Sequence, residues 1–112
     1  MPDHRTEILQ GTFDLLVLKI LSVEPMHGWG ITQRIESLSN EALLVNQGSL
    51  YPSLERLKRR GLVDSEWRVT ENNRRARYYR LTAAGRRQLQ AERAEWERAS
   101  LAINLILRWE GA

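Results

Sequence analysis

Side-chain chemistry in this 112-residue chain concentrates in one zone. Between Arg56 and Arg80 the cations are Arg56, Lys58, Arg59, Arg60, Arg68, Arg74, Arg75, Arg77 and Arg80, opposed by Asp64, Glu66 and Glu71. Guanidinium groups fork onto phosphate oxygens and onto the major-groove edge of guanine, so such a zone suits recognition of a nucleic acid. By charge alone, a solvated surface stretch would look the same. Overlapping it, "NQGSLYPSLERLKRRG" (46–61) supplies the neutral donors Gln47, Ser49 and Tyr51 and two thin residues, Gly48 and Pro52. Other chemistry has little material. The chain has no cysteine, which removes thiolate nucleophiles, thiolate metal sites and disulfides. Its two histidines, His4 and His27, have no paired acid or nucleophile; His27 is expected to pack in a turn or cap the second helix. No catalytic residue, metal or cofactor is therefore expected.

These residues need elements to present them. "TFDLLVLKILS" reads as a central apolar helix with Thr12 as N-cap. "VEPMHGWG" breaks it at Pro25, Gly28 and Gly30. "ITQRIESLS" forms a second helix with Ile31, Ile35 and Leu38 on one face, and "NEALLV" offers a short edge strand. Residues 46–61 form a third helix that turns Leu50, Leu54 and Leu57 inward and ends at Gly61, a C-cap. Its N-cap is either Asn46 or Ser49. At about 100° per residue, Gly48, Pro52, Glu55 and Arg59 face outward, flanked by Ser49 and Arg56. Glu55 is expected to pair with Arg59, and Lys58 and Arg60 to offset the helix dipole.

"LVDSEWRV" alternates, with Val63, Ser65, Trp67 and Val69 on one side, and predicts a half-buried strand. "TENNRRA" is a turn and "RYYRL" the returning strand, which makes a hairpin whose tip holds Asn73, Arg74, Arg75 and Arg77. Thr82 caps a long final helix from Ala83 to about Arg108. The predicted fold is mainly α with a small β-hairpin: a winged helix-turn-helix over residues 1–82, and a C-terminal dimerisation helix over 83–112 packed on the same domain. The task expected of such a fold is binding of double-stranded DNA. The expected DNA-binding residues are Gln47, Gly48, Ser49, Tyr51, Pro52, Arg56, Arg59, Asn73, Arg74, Arg75 and Arg77.

On the final helix Leu89, Trp96 and Ile103 recur every seven residues, with Ala99, Ile106 and Leu107 nearby. "LAINLIL" is apolar almost all round, more than one small domain can cover, so these residues are expected at a homodimer interface. No apolar run reaches the ~20 residues of a membrane span, and "MPDHRTEIL" lacks a signal-peptide core. With no cysteine, the chain is expected in the cytoplasm. A net charge of +3 says less than its distribution.

"QGTFDLLVLKIL", "HGWGITQRIE", "NQGSLYPSLERLKRRGLV" and "NNRRARYYRLTAAG" together resemble the PadR family of bacterial transcriptional regulators, over roughly Ile8 to Leu107. The resemblance implies a homodimeric winged-helix protein, usually a repressor, paired through its C-terminal helices. The length is similar to the subgroup with one such helix. The resemblance favours Asn46 as the N-cap. It departs at Trp29, where the family commonly has tyrosine, so an indole N–H stands in for a phenolic hydroxyl. It also implies that Trp96 could hold a small planar or phenolic effector; the plainer reading of Trp96 is dimer core. The function these features imply is a sequence-specific regulator, acting as a homodimer on a near-palindromic operator. The alternative is a winged-helix protein-interaction module without sequence-specific DNA binding.

Overall fold

The computed structural model describes Thr6–Glu7 and residues 10–112; His4 lies outside the described residues. The elements run β1 (Thr6–Glu7), α1 (Gln10–Val23), β2 (Met26–His27), α2 (Gly28–Leu38), β3 (Leu43–Leu44), α3 (Gln47–Arg59), β4 (Val63–Val69), β5 (Arg75–Leu81) and α4 (Ala83–Leu107). This is a winged helix-turn-helix with a long C-terminal helix. α1 is the hub, packed against α2, α3, α4 and β5. Its Phe13, Val17, Leu18, Ile20 and Leu21 are all buried, which is why it reads apolar on nearly every side. The helix begins before Thr12, so Thr12 lies inside its first turn rather than capping it.

The segment between α1 and α2 differs from the expected break. Gly28 and Gly30 belong to the first turn of α2, because His27 is the N-cap and accepts the Gly30 N–H at Nδ1, 3.1 Å away. Gly28 has no room for a side chain: a Cβ there would lie 2.8 Å from the Tyr51 hydroxyl. Met26 and His27 pair with Tyr79 and Tyr78, adding a third strand to the hairpin in the order β2-β5-β4, all antiparallel. Leu38, expected on the buried face of α2, stands at its end and is exposed. β3 is the expected short strand; it pairs in parallel with β1.

α3 is held from three sides. Asn46 is its N-cap and accepts the Gly48 N–H at 2.8 Å, which resolves the choice between Asn46 and Ser49. Leu50, Leu54 and Leu57 are fully buried, and these three leucines anchor the helix to the core. At the other end Gly61 has φ +73, the left-handed geometry glycine adopts without strain. The Leu62 N–H reaches Leu57 O and the Gly61 N–H reaches Lys58 O, each at 2.9 Å, the double bond of a Schellman cap.

That cap is stitched to α4. The Thr82 N–H donates to Leu62 O at 3.1 Å, and the Thr82 hydroxyl donates to Gly61 O at 2.7 Å. The same hydroxyl accepts the Gly85 N–H at 3.0 Å as N-cap of α4. Gly85 is required here, since a Cβ would strike the Leu62 carbonyl oxygen and come 2.6 Å from Leu81 Cδ1. Leu89, expected at a dimer interface, is buried in this protomer's own core, because the first part of α4 packs on α1. Beyond Trp96 the helix leaves the body: Leu101, Ile103, Leu105, Ile106 and Leu107 are all exposed. The longest dimension of the molecule is 62 Å, against 21 Å for the shortest.

Candidate nucleic-acid interface

The surface built by α3 and the hairpin has two parts. The first is the outward face of α3. Gln47, Gly48, Ser49, Pro52, Glu55 and Arg59 are all exposed there, opposite the leucine stripe. With Asn46 as cap, Pro52 is the sixth helical residue, beyond the first turn where proline is free of cost. It has no N–H, so the Gly48 carbonyl loses the donor four residues ahead. That carbonyl, without its i+4 donor, belongs to an exposed residue with no side chain. Gln47 is less free than its position suggests, as its Nε2 donates to Thr32 Oγ1 at 3.2 Å and ties α3 to α2.

Two expectations for this helix need correction. Glu55 and Arg59 form no ion pair with one another, which leaves Arg59 exposed and unpaired among the described residues. Arg56, expected to flank the outward face, turns the other way. Its Nη2 lies 3.1 Å from Asp14 Oδ1 on α1, and the same oxygen accepts the Ser53 hydroxyl at 2.5 Å. A covered carboxylate attracts the cation more strongly than solvent does, so Arg56 leaves the set of free surface cations.

The second part is a groove of about 880 Å³ between the hairpin, the start of α2 and α3. Tyr51, Arg74, Arg75 and Arg77 line it, together with Trp29 and Trp67. Gln47, Gly48, Ser49, Pro52, Arg59 and Asn73 do not; they lie on the adjoining face and at the tip. Tyr51 is half-exposed, its hydroxyl over Gly28. Asn73 has φ +57, the left-handed geometry that closes the hairpin loop, and its N–H reaches Thr70 O at 3.0 Å. The Thr70 N–H then reaches Arg74 O at 2.6 Å.

Arg75 and Arg77 share a strand face, as alternation requires. Their guanidinium carbons sit 5.2 and 5.8 Å from the Trp67 ring centroid, and Arg77 Nε donates to Ser65 Oγ at 2.9 Å. Trp67 was expected on a buried face. It is 57% exposed, because the hairpin projects past the core after Val63, and it serves as a platform under two cations. On the opposite face Arg68 stacks on Tyr78 at 5.1 Å and pairs with Glu66. The register that places Trp67 opposite Arg77 was the signal that sequence reading missed. Trp29, also exposed, stacks loosely on His27 with centroids 6.4 Å apart.

Away from this surface, Trp96 walls a shallow depression of about 290 Å³ between α1 and α4, beside Glu92 and Glu95. No cluster of three or more metal-ligating side chains occurs among the described residues, and none of the helices is long and apolar enough to cross a membrane.

Known proteins share this arrangement. The sequence pattern of the Transcriptional regulator PadR-like family matches residues 17–91. A transcriptional regulator of Mycobacterium tuberculosis is 37% identical over 91 residues, covering 81% of each chain. A transcriptional regulator structure from Clostridium thermocellum aligns with a TM-score of 0.81 at 26% identity, over 88% of this chain and 96% of its own. A PadR family transcriptional regulator from Eggerthella lenta aligns with a TM-score of 0.73 at 31% identity, over 88% and 84%. The matched residues run from the second half of α1 through both helices of the helix-turn-helix and the wing to the start of α4, so sequence and fold agree over the segment that builds the surface just described. The chain belongs to the PadR-like family of transcriptional regulators.

Proposed function

We propose that the protein is a sequence-specific, double-stranded DNA-binding regulator, a repressor acting as a homodimer on a near-palindromic operator. One observation carries this reading: the exposed outward face of α3, at the start of the helix, adjoins a groove lined by Arg74, Arg75 and Arg77. Helix N-termini and guanidinium groups both favour phosphate. α3 enters the major groove with Gly48 and Pro52 allowing close approach, while Gln47, Ser49 and Tyr51 donate to the backbone and Arg59 reaches a base edge. The wing, with Asn73 at its tip, straddles the adjoining phosphates. Residues 1–82 form the reading unit and 83–112 the pairing helix.

The exposed apolar tail of α4 supports dimerisation through Trp96, Ala99, Ile103, Ile106 and Leu107. Two copies related by a two-fold axis would set their reading helices about 34–36 Å apart, one turn of DNA. An effector, where one acts, stacks on Trp96; the neighbouring carboxylates Glu92 and Glu95 favour a planar cation over a phenolate. Selection of bound sequences from random duplex DNA tests the reading. It should return an inverted repeat, and affinity should fall with salt at a log–log slope of about −0.9 per phosphate neutralised. Absent or salt-independent binding overturns the proposal in favour of a protein-docking module, for which sedimentation would show a monomer.

A further inference from the structure

Among the described residues, Asp14 forms a polar link between the hub helix and the reading helix that the function above does not use. Its Oδ1 accepts from both Ser53 Oγ and Arg56 Nη2, at 2.5 and 3.1 Å. The Asp14 side chain is 13% exposed and that of Arg56 30%. Arg56 Nε is buried with no hydrogen-bond partner among the described residues. Holding the guanidinium here therefore leaves one of its donors unsatisfied, a poor arrangement if the pair served stability alone. Arg56 also follows Pro52 by four residues, about 40° around the helix. Its stem thus leaves α3 beside the outward face, while its head folds back to meet Asp14 on α1.

We infer that Asp14 is a positioning residue that brakes sequence-independent DNA binding by holding Arg56 off the phosphate backbone. The inference rests on the DNA-binding reading above. Ser53 fixes the carboxylate and Asp14 neutralises Arg56. The reading face then keeps Arg59 as its exposed cation, and Arg56 adds nothing to affinity for random sequence. A freed Arg56 would reach a phosphate in a loosely docked complex.

The test compares wild type with Asp14→Asn, Arg56→Gln, the double variant, and Glu110→Gln, which raises net charge equally from an exposed site near the C-terminus. The probe is a random-sequence duplex titrated across salt. Asp14→Asn should steepen the log–log slope by about 0.9, one extra phosphate. Arg56→Gln should match wild type, the double variant should return to wild type, and Glu110→Gln should not steepen the slope. An unchanged slope for Asp14→Asn overturns the inference. So does a slope shallower by about 0.9 for Arg56→Gln, since Arg56 would then already contact DNA. The Arg56→Gln arm decides the matter if Asp14→Asn fails to fold. If wild type binds no duplex, the regulator reading fails, and elution from immobilised heparin still decides the inference. Asp14→Asn must then elute at higher salt than Glu110→Gln; co-elution overturns it.

Discussion

Replacing Pro52 with alanine should make the protein more stable and worse at reading its operator. Pro52 is exposed, so alanine removes little buried surface. It restores an N–H that can reach the Gly48 carbonyl and relieves the clash of the proline ring with that carbonyl. A proline in a helix interior costs about 3 kcal/mol relative to alanine. Lost rigidity in the unfolded chain returns about 0.4–1 kcal/mol of this. The net expectation is a stabilisation of about 2 kcal/mol, or roughly 8 °C in a chain of this size. Calorimetry at matched protein concentration measures it, since a dimer's midpoint depends on concentration. In the same variant the Gly48 carbonyl is withdrawn from the exposed face, and operator affinity should drop about three- to tenfold, the worth of one hydrogen bond. Affinity for random duplex should hold. A lower midpoint would refute the claim that Pro52 strains α3. A higher midpoint with unchanged operator affinity would refute the claim that the strain serves recognition.

The remaining predictions are shorter. Gly85→Ala should destabilise by about 1–3 kcal/mol in urea unfolding, because the new methyl meets the Leu62 carbonyl oxygen. Arg75→Ala should weaken binding to every duplex alike and flatten the salt slope by about 0.9, whereas Arg59→Ala should relax preference at one base pair; sequence-resolved binding curves that coincide would refute this division. Burial raises the Tyr79 phenol above its ordinary value, against the opposing pull of Arg77. The fold therefore favours the neutral phenol. Its contribution is complete below about pH 10 and is lost as pH climbs through the raised folded value. In urea midpoints measured across that range, Tyr79→Phe should flatten the alkaline fall. Ile106→Glu should shift the sedimenting species from dimer to monomer without changing the circular dichroism of the protomer.

Much of the fold was legible because its determinants are local. The leucine period of α3, the glycine that ends it, the threonine that starts α4 and the asparagine at the hairpin tip all act within a few residues. What escaped was long-range. β2 is two residues long and carries no pattern of its own; only the already formed β5 gives it a partner. Asp14 and Arg56 lie 42 positions apart, so a helical wheel of α3 could not show that the cation is drawn inward. Trp67 obeys the alternation that suggested burial, yet the core ends before the strand does. Leu89 fits the heptad of the tail, but the body of the protomer reaches up α4 far enough to cover it.

The stitch at Thr82 gives the molecule the mechanics of a caliper. α4 is 25 residues long, about 37 Å, and its first turn is bonded to the last turn of α3. Jaw and arm therefore turn as one piece. If two arms cross at their tips, a change of about 10° in the crossing swings each jaw by roughly 6 Å, close to two base-pair steps. Under the DNA-binding reading proposed above, the spacing between half-sites would then be set at the tips, far from the residues proposed to touch DNA. A substitution there would change which operators fit without altering a single base contact.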